Sequence, residues 1–148
     1  MVVVSPGSTV AFPNLDPFNH NVFSVSPEAV FDLGLYGRGE SRSIAFATSG
    51  AVRIYCNVHA QIWAVVMVLE TSLVTRPGAD GSFQFGDLRP GNYTLSAWHE
   101  RGGRTAHPLV VGPAGGNDVR LSLDASGFIH KAHLNKFGKP YQSEGRRY

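Results

Sequence analysis

The chain has 148 residues, and 16% of them are charged, against about 25% in an average globular protein. Three Lys and five Glu are too few for long charged helices or a coiled coil, and nine Phe, five Tyr and two Trp supply enough apolar surface to exclude global disorder. The net charge of +2 is uneven: residues 1–125 carry eight Arg and ten acids, whereas 126–148 carry five Lys or Arg and one Glu, so the basic excess belongs to a tail and not to a nucleic-acid-binding face.

In chain order, Val2–Val4 and Thr9–Phe12 bracket a Ser-Pro-Gly-Ser turn and are predicted as short strands. Asn14–Asn19 reads as a polar loop and Val22–Val25 as a strand. Pro27–Gly39 reads as irregular, with one helical turn at Pro27–Phe31. Ser41–Phe46 alternates, and Val52, Ile54 and Cys56 then share one strand face while Arg53, Tyr55 and Asn57 share the other. Ala64–Leu69 is a continuous apolar run, the pattern of a strand buried on both faces. Beyond a boundary near Glu70–Val74, Ser82–Phe85, Tyr93–His99, His107–Val111 and Asp118–Leu123 are predicted strands. The turns between them include Ala79-Asp80-Gly81, Arg89-Pro90-Gly91-Asn92 and Glu100–Arg104. Short strands with turns at this spacing indicate all-β sandwiches. The expected organisation is therefore a first domain over 1–70, a second over 71–125, and a basic tail over 126–148 that is either docked or loose.

No run of 18 apolar residues suggests a membrane span, and Met1–Val4 is not followed by the pattern of a signal peptide. Those features are expected of a cytoplasmic protein or of a processed or truncated form. A lone cysteine, Cys56, excludes an internal disulfide.

The chemistry is concentrated around that cysteine. In Cys56-Asn57-Val58-His59 a thiolate and an imidazole lie three residues apart, a donor pair suited to copper or zinc. One short loop cannot complete a His2Cys site, so a second histidine has to come from elsewhere. His20 is the candidate, at a loop-to-strand junction, and the 35 residues between it and Cys56 leave room for two or three strands.

Taken together, His20-Asn21-Val22 and Cys56-x2-His59 followed by a last apolar strand resemble the cupredoxin family, which includes plastocyanin and amicyanin. Asp80-Gly81-Ser82-Phe83 with Leu88-Arg89-Pro90-Gly91-Asn92-Tyr93-Thr94-Leu95 resembles carboxypeptidase-regulatory-like or transthyretin-like modules. Asn135-Lys136-Phe137-Gly138 is similar to the tail of plastocyanin-like proteins of the methylamine-utilisation type. The resemblance implies a cupredoxin-like Greek-key sandwich followed by a small Ig/transthyretin-like sandwich. It implies one type 1 copper, cycling between Cu(I) and Cu(II), held by His20, Cys56 and His59. Asn21 would tie the His20 loop to the Cys56 loop, and the location would be periplasmic or otherwise extracytoplasmic. Two features depart from the family pattern. Ile62 stands where an amicyanin-like site has its axial Met, so that position is non-ligating. The first domain is also short, so one or two N-terminal strands are expected to be missing, which leaves an open sheet edge at Val2–Val4.

Other candidates read more plainly. Met67 falls in the apolar strand and is expected in the core. His99 is expected to be structural or solvent-facing, His130 and His133 to lie in a solvated tail, and Tyr93 and Trp98 to be core aromatics and not a sugar platform. No arrangement for hydrolytic or transferase chemistry is present. The reading is thus a non-enzymatic electron carrier with a redox partner protein. Its alternatives are a copper-handling protein without redox duty and a metal-free carbohydrate-binding or interaction module.

Overall fold

The computed structural model describes residues 1–86, 88–115, 118–129 and 132–141, which gather into two compact units. The first comprises Met1–Ser72 with the described part of the tail, residues 132–141; the second lies within Leu73–Lys131. Among the described residues the architecture is all-β, and no helix is long and apolar enough to cross a membrane.

Seven strands build the first unit: β1 (Val2–Val4), β2 (Ser8–Pro13), β3 (His20–Ser26), β4 (Ala29–Tyr36), β5 (Ser41–Phe46), β6 (Gly50–Cys56) and β7 (Trp63–Val68). They form a five-stranded sheet in the order β1-β7-β6-β3-β4 and a two-stranded sheet of β2 with β5. Phe46 from the small sheet packs with Val52, Ile54, Val66 and Val68 from the large one. Val10, Phe12 and Ile44 join from one side, and Val4, Val22 and Phe31 from the other. The two inner faces therefore make one sandwich core, as their period-2 patterns require.

The strands around the Ser5–Ser8 turn separate. β1 pairs in parallel with β7 at the edge of the large sheet, while β2 pairs antiparallel with β5. Flanked on both sides by β1 and β6, β7 has Val65, Val66, Met67 and Val68 all buried.

β4 corrects the expectation of an irregular Pro27–Gly39 with a helical turn. It is an eight-residue strand interrupted by a bulge opposite β3: Asn21 pairs with Leu35 and Phe23 with Asp32, so Leu33 and Gly34 face the single residue Val22. Gly34 sits at φ 73°, the left-handed region that a side chain disfavours. The inserted residue shifts the inward and outward faces by one position, which erases the alternation a strand is recognised by.

In the second unit β8 (Gly91–His99) and β9 (Gly103–Val111) form an antiparallel hairpin closed at His99 and Gly103. The strands expected at Ser82–Phe85 and Asp118–Leu123 do not form. Phe83 and Phe85 meet edge-on at 6.3 Å, and 118–123 alternates between exposed and half-buried positions, yet neither segment joins a ladder. Alternation marks a segment able to be a strand; a strand also requires a hydrogen-bonded neighbour.

Candidate metal centre

β3 and β6 are antiparallel neighbours with Val22 opposite Cys56, so the start of β3 and the end of β6 lie at one edge of the sandwich. His20 is the first residue of β3 and Cys56 the last of β6, and His59 sits in the loop from β6 to β7. That loop is closed by two backbone bonds: the Cys56 N–H donates to the Ile62 carbonyl at 3.1 Å, and the Ile62 N–H to the His59 carbonyl at 3.1 Å.

The three side chains converge. Cys56 Sγ is 3.6 Å from His20 Nδ1 and 3.6 Å from His59 Nδ1, and the donor atoms all lie within 4.8 Å of one another. An ion bonded at about 2.3 Å to a thiolate and about 2.0 Å to an imidazole separates sulfur from nitrogen by roughly 3.5 Å at tetrahedral angles and roughly 3.7 Å at trigonal ones. Both 3.6 Å separations fall in that range, so each imidazole can share one ion with the sulfur.

The electrostatics suit a soft cation. Burial would raise the Cys56 thiol, but the backbone N–H groups of Asn21 and Val58 and the imidazoles of His20 and His59 outweigh it and bring the pKa down to about 7. The hydrogen bond that the protonated His20 ring donates to the Cys56 sulfur raises His20 against its burial, and Asp16 adds to the rise. His20 Nε2 lies 2.9 Å from Asp16 Oδ2, so with that nitrogen protonated Nδ1 is left as the acceptor facing sulfur. The Asp16 loop is itself organised by the buried Asn14. Its Nδ2 donates to the Phe18 and Tyr36 carbonyls, and its Oδ1 accepts from the Asp16 N–H.

Asn21 joins the two ligand-bearing segments through its backbone, since its carbonyl accepts the Asn57 N–H at 2.8 Å. Its side chain turns away and donates to Asp32 Oδ1, the same oxygen that takes the N–H of Gly34 in the β4 bulge. Ile62, the last residue of the loop before β7, is 41% exposed. Met67 pairs with Val3 and Ala51, four residues along β7 from Trp63, which sits opposite Tyr55. At about 3.3 Å per residue that is roughly 13 Å along the strand, and Met67 is buried in the core. His99 is an exposed hairpin residue of the second unit, its Nδ1 accepting the Arg101 N–H.

The expectation of a solvated tail is corrected for His133, and His130 lies outside the described residues. The His133 ring stacks on Tyr55 with centroids 4.3 Å apart and meets Tyr141 edge-on at 5.1 Å. Tyr141 donates its hydroxyl to the Cys56 carbonyl at 2.6 Å, the Lys136 N–H donates to Asn57 Oδ1 at 3.0 Å, and Lys136 Nζ is 2.6 Å from Asp32 Oδ2. Sequence patterning missed all three residues, because a tail that docks in irregular conformation leaves no periodic signal.

No protein-family model matches the chain, and no curated protein matches it. Among solved structures it is similar to a purple cupredoxin from Nitrosopumilus maritimus, at 25% identity over 46% of this chain and 76% of that one, with a TM-score of 0.42. It is also similar to an oxidised and a reduced mutant of amicyanin, at 25% and 24% identity over 46% of this chain and 68% of those, each with a TM-score of 0.43.

Proposed function

We propose that the chain binds one copper ion through His20 Nδ1, Cys56 Sγ and His59 Nδ1 and serves as a one-electron carrier to a redox partner protein, without enzymatic turnover. The observation that carries this is the pair of 3.6 Å separations from one buried sulfur to two Nδ1 atoms. A thiolate with two imidazoles and no oxygen donor among them is the donor set of blue-copper sites. Bound copper would supply the Cu(I)/Cu(II) couple. The protein's part is to hold both imidazoles with Nδ1 toward the sulfur and to keep Cys56, 1% exposed, away from water. The resemblance to cupredoxins supports an extracytoplasmic setting. The second unit, whose sequence resembles carboxypeptidase-regulatory-like modules, is read as an accessory β domain.

The test is to add Cu(II) to the metal-free protein and record the visible spectrum and a voltammogram. The cupredoxin resemblance leads to the expectation of an intense visible thiolate-to-copper band with a reversible one-electron wave for such a trigonal His2Cys site. A coloured complex without a reversible wave would favour copper handling instead. A copper stoichiometry unchanged by Cys56→Ser would show that copper binds without this thiolate, and no copper uptake by the unaltered protein would favour the metal-free reading.

A further inference from the structure

The tail meets the ligand-bearing segments at three points that converge on the same loop. Tyr141 caps the carbonyl of Cys56 itself. The Lys136 backbone holds the side chain of Asn57, the next residue, whose own N–H is bonded to the Asn21 carbonyl. The Lys136 ammonium pairs with one oxygen of Asp32 while the other oxygen takes the side-chain amide of Asn21. Asn21 in turn follows His20. His133 fills the space between Tyr55, the residue before Cys56, and Tyr141, so the strap lies against β6 over an aromatic contact as well as hydrogen bonds.

From this we infer that residues 132–141 are a positioning strap for the metal centre, with Tyr141 and Lys136 as its two fixing points. They set the backbone that aims Cys56 and, through Asp32 and Asn21, the segment that carries His20. The inference rests on the reading of His20, Cys56 and His59 as ligands. Neither strap residue touches a donor atom. Both act on backbone and neighbouring amides, as outer-shell partners of metal ligands do when they fix orientation. Among the described residues, the backbone bonds of the loop 57–62 are its own turn bonds and the Asn57–Asn21 bond, and its His59 ring meets those of Phe18 and His20.

Tyr141→Phe keeps the ring and removes only the hydroxyl, whereas Lys136→Met keeps the stem and removes the charge. Both variants are made in the full chain. In the metal-free proteins, amide hydrogen exchange is read at Asn57 and, as internal reference, at Val52 and Val66 in the β6–β7 ladder. In the copper-loaded proteins, the rate of copper release to a chelator and the position of the visible band are read. Exchange at Asn57 should rise several-fold with the reference amides unchanged, and copper release should accelerate by about tenfold, the low end of outer-shell effects on metal affinity, with a shifted band. Unchanged exchange, or a uniform rise across the sheet, overturns the strap. A local rise with release rate and band unaltered overturns its positioning role. Failure of the wild type to take up copper overturns the ligand reading instead, and the exchange data still decide whether the strap holds the loop.

Discussion

The hydroxyl of Tyr141 donates a 2.6 Å hydrogen bond to the backbone carbonyl of Cys56, a residue 85 positions earlier. Burial, and then the neighbouring Cys56 thiolate and Tyr55, push the phenol up to about 12. Tyr141 therefore stays protonated, and remains a donor, across the whole range in which Cys56 changes its charge. The candidate centre is thus tied to both halves of its own unit: to β3 and β6 by the sheet, and to the chain's far end by the tail.

Replacing Cys56 by Ser exchanges a soft thiolate for a hydroxyl that is neutral near pH 7. The visible band should vanish and copper should be retained at most weakly by the two imidazoles. Metal analysis after gel filtration, alongside the spectrum, checks both expectations.

Copper affinity should depend on pH because the ligands bind deprotonated. Cys56 loses its proton at about 7, and His20 above the usual imidazole value, with the Cys56 thiolate as the main cause. As pH falls through 7 both groups must release a proton to bind, so the apparent affinity should approach a fall of about a hundredfold per pH unit. In the metal-free protein the two groups act oppositely on stability. The depressed Cys56 contributes fully above its unfolded value and is lost as pH falls through about 7. The raised His20 contributes below its unfolded value and is lost as pH rises through its folded one. Chelator competition across this range tests the affinity, and a flat profile would remove the thiolate from the ligand set.

Asp16 holds His20 Nε2 from a side chain that is 61% exposed. Asp16→Ala frees the ring to change tautomer and tilt, and copper affinity should drop by about tenfold, since partial exposure places it at the weak end of outer-shell effects. The same substitution should lower the His20 pKa, which a histidine titration by NMR in the metal-free protein would show.

Core substitutions should leave the site's residues in place but cost stability. Phe46 is 0% exposed and its ring meets that of Phe31 at 6.1 Å. Phe46→Ala should cost about 3–5 kcal/mol. Val66→Pro places a ring without an N–H in a strand flanked on both sides, and should cost about 3 kcal/mol or more. Guanidinium titration should show the Phe46→Ala midpoint falling with little change in slope.

Ile62 offers hydrocarbon at the position where the cupredoxin resemblance expects an axial thioether. Axial donation favours Cu(II) over Cu(I), so its absence should hold the reduction potential high. Ile62→Met should lower that potential while Cys56, His20 and His59 still supply the intense band. Voltammetry of both proteins decides, and an equal or higher value in the Met variant would end the axial argument.

What the sequence determined by itself was local. The alternation of Val52, Ile54 and Cys56 put those side chains on the buried face of β6, a consequence of the two-residue repeat, and the unbroken apolar run of β7 marked a strand covered on both faces, as Val65–Val68 are. The donor chemistry was local too, because a thiol and an imidazole three residues apart, with one histidine at a strand start, single out the side chains that the fold brings within 4.8 Å. Tertiary structure alone decided the rest. β4 was hidden because the bulge at Gly34 shifts its faces by one residue, and only its pairing with β3 shows it to be a strand. Ser82–Phe85 and Asp118–Leu123 carry strand patterns but join no ladder, because a strand is defined by its partner. The tail's bonds to Cys56, Asn57 and Asp32 span 79 to 104 positions and follow no period. They depend on where the sandwich places those acceptors, which no repeat along the chain encodes.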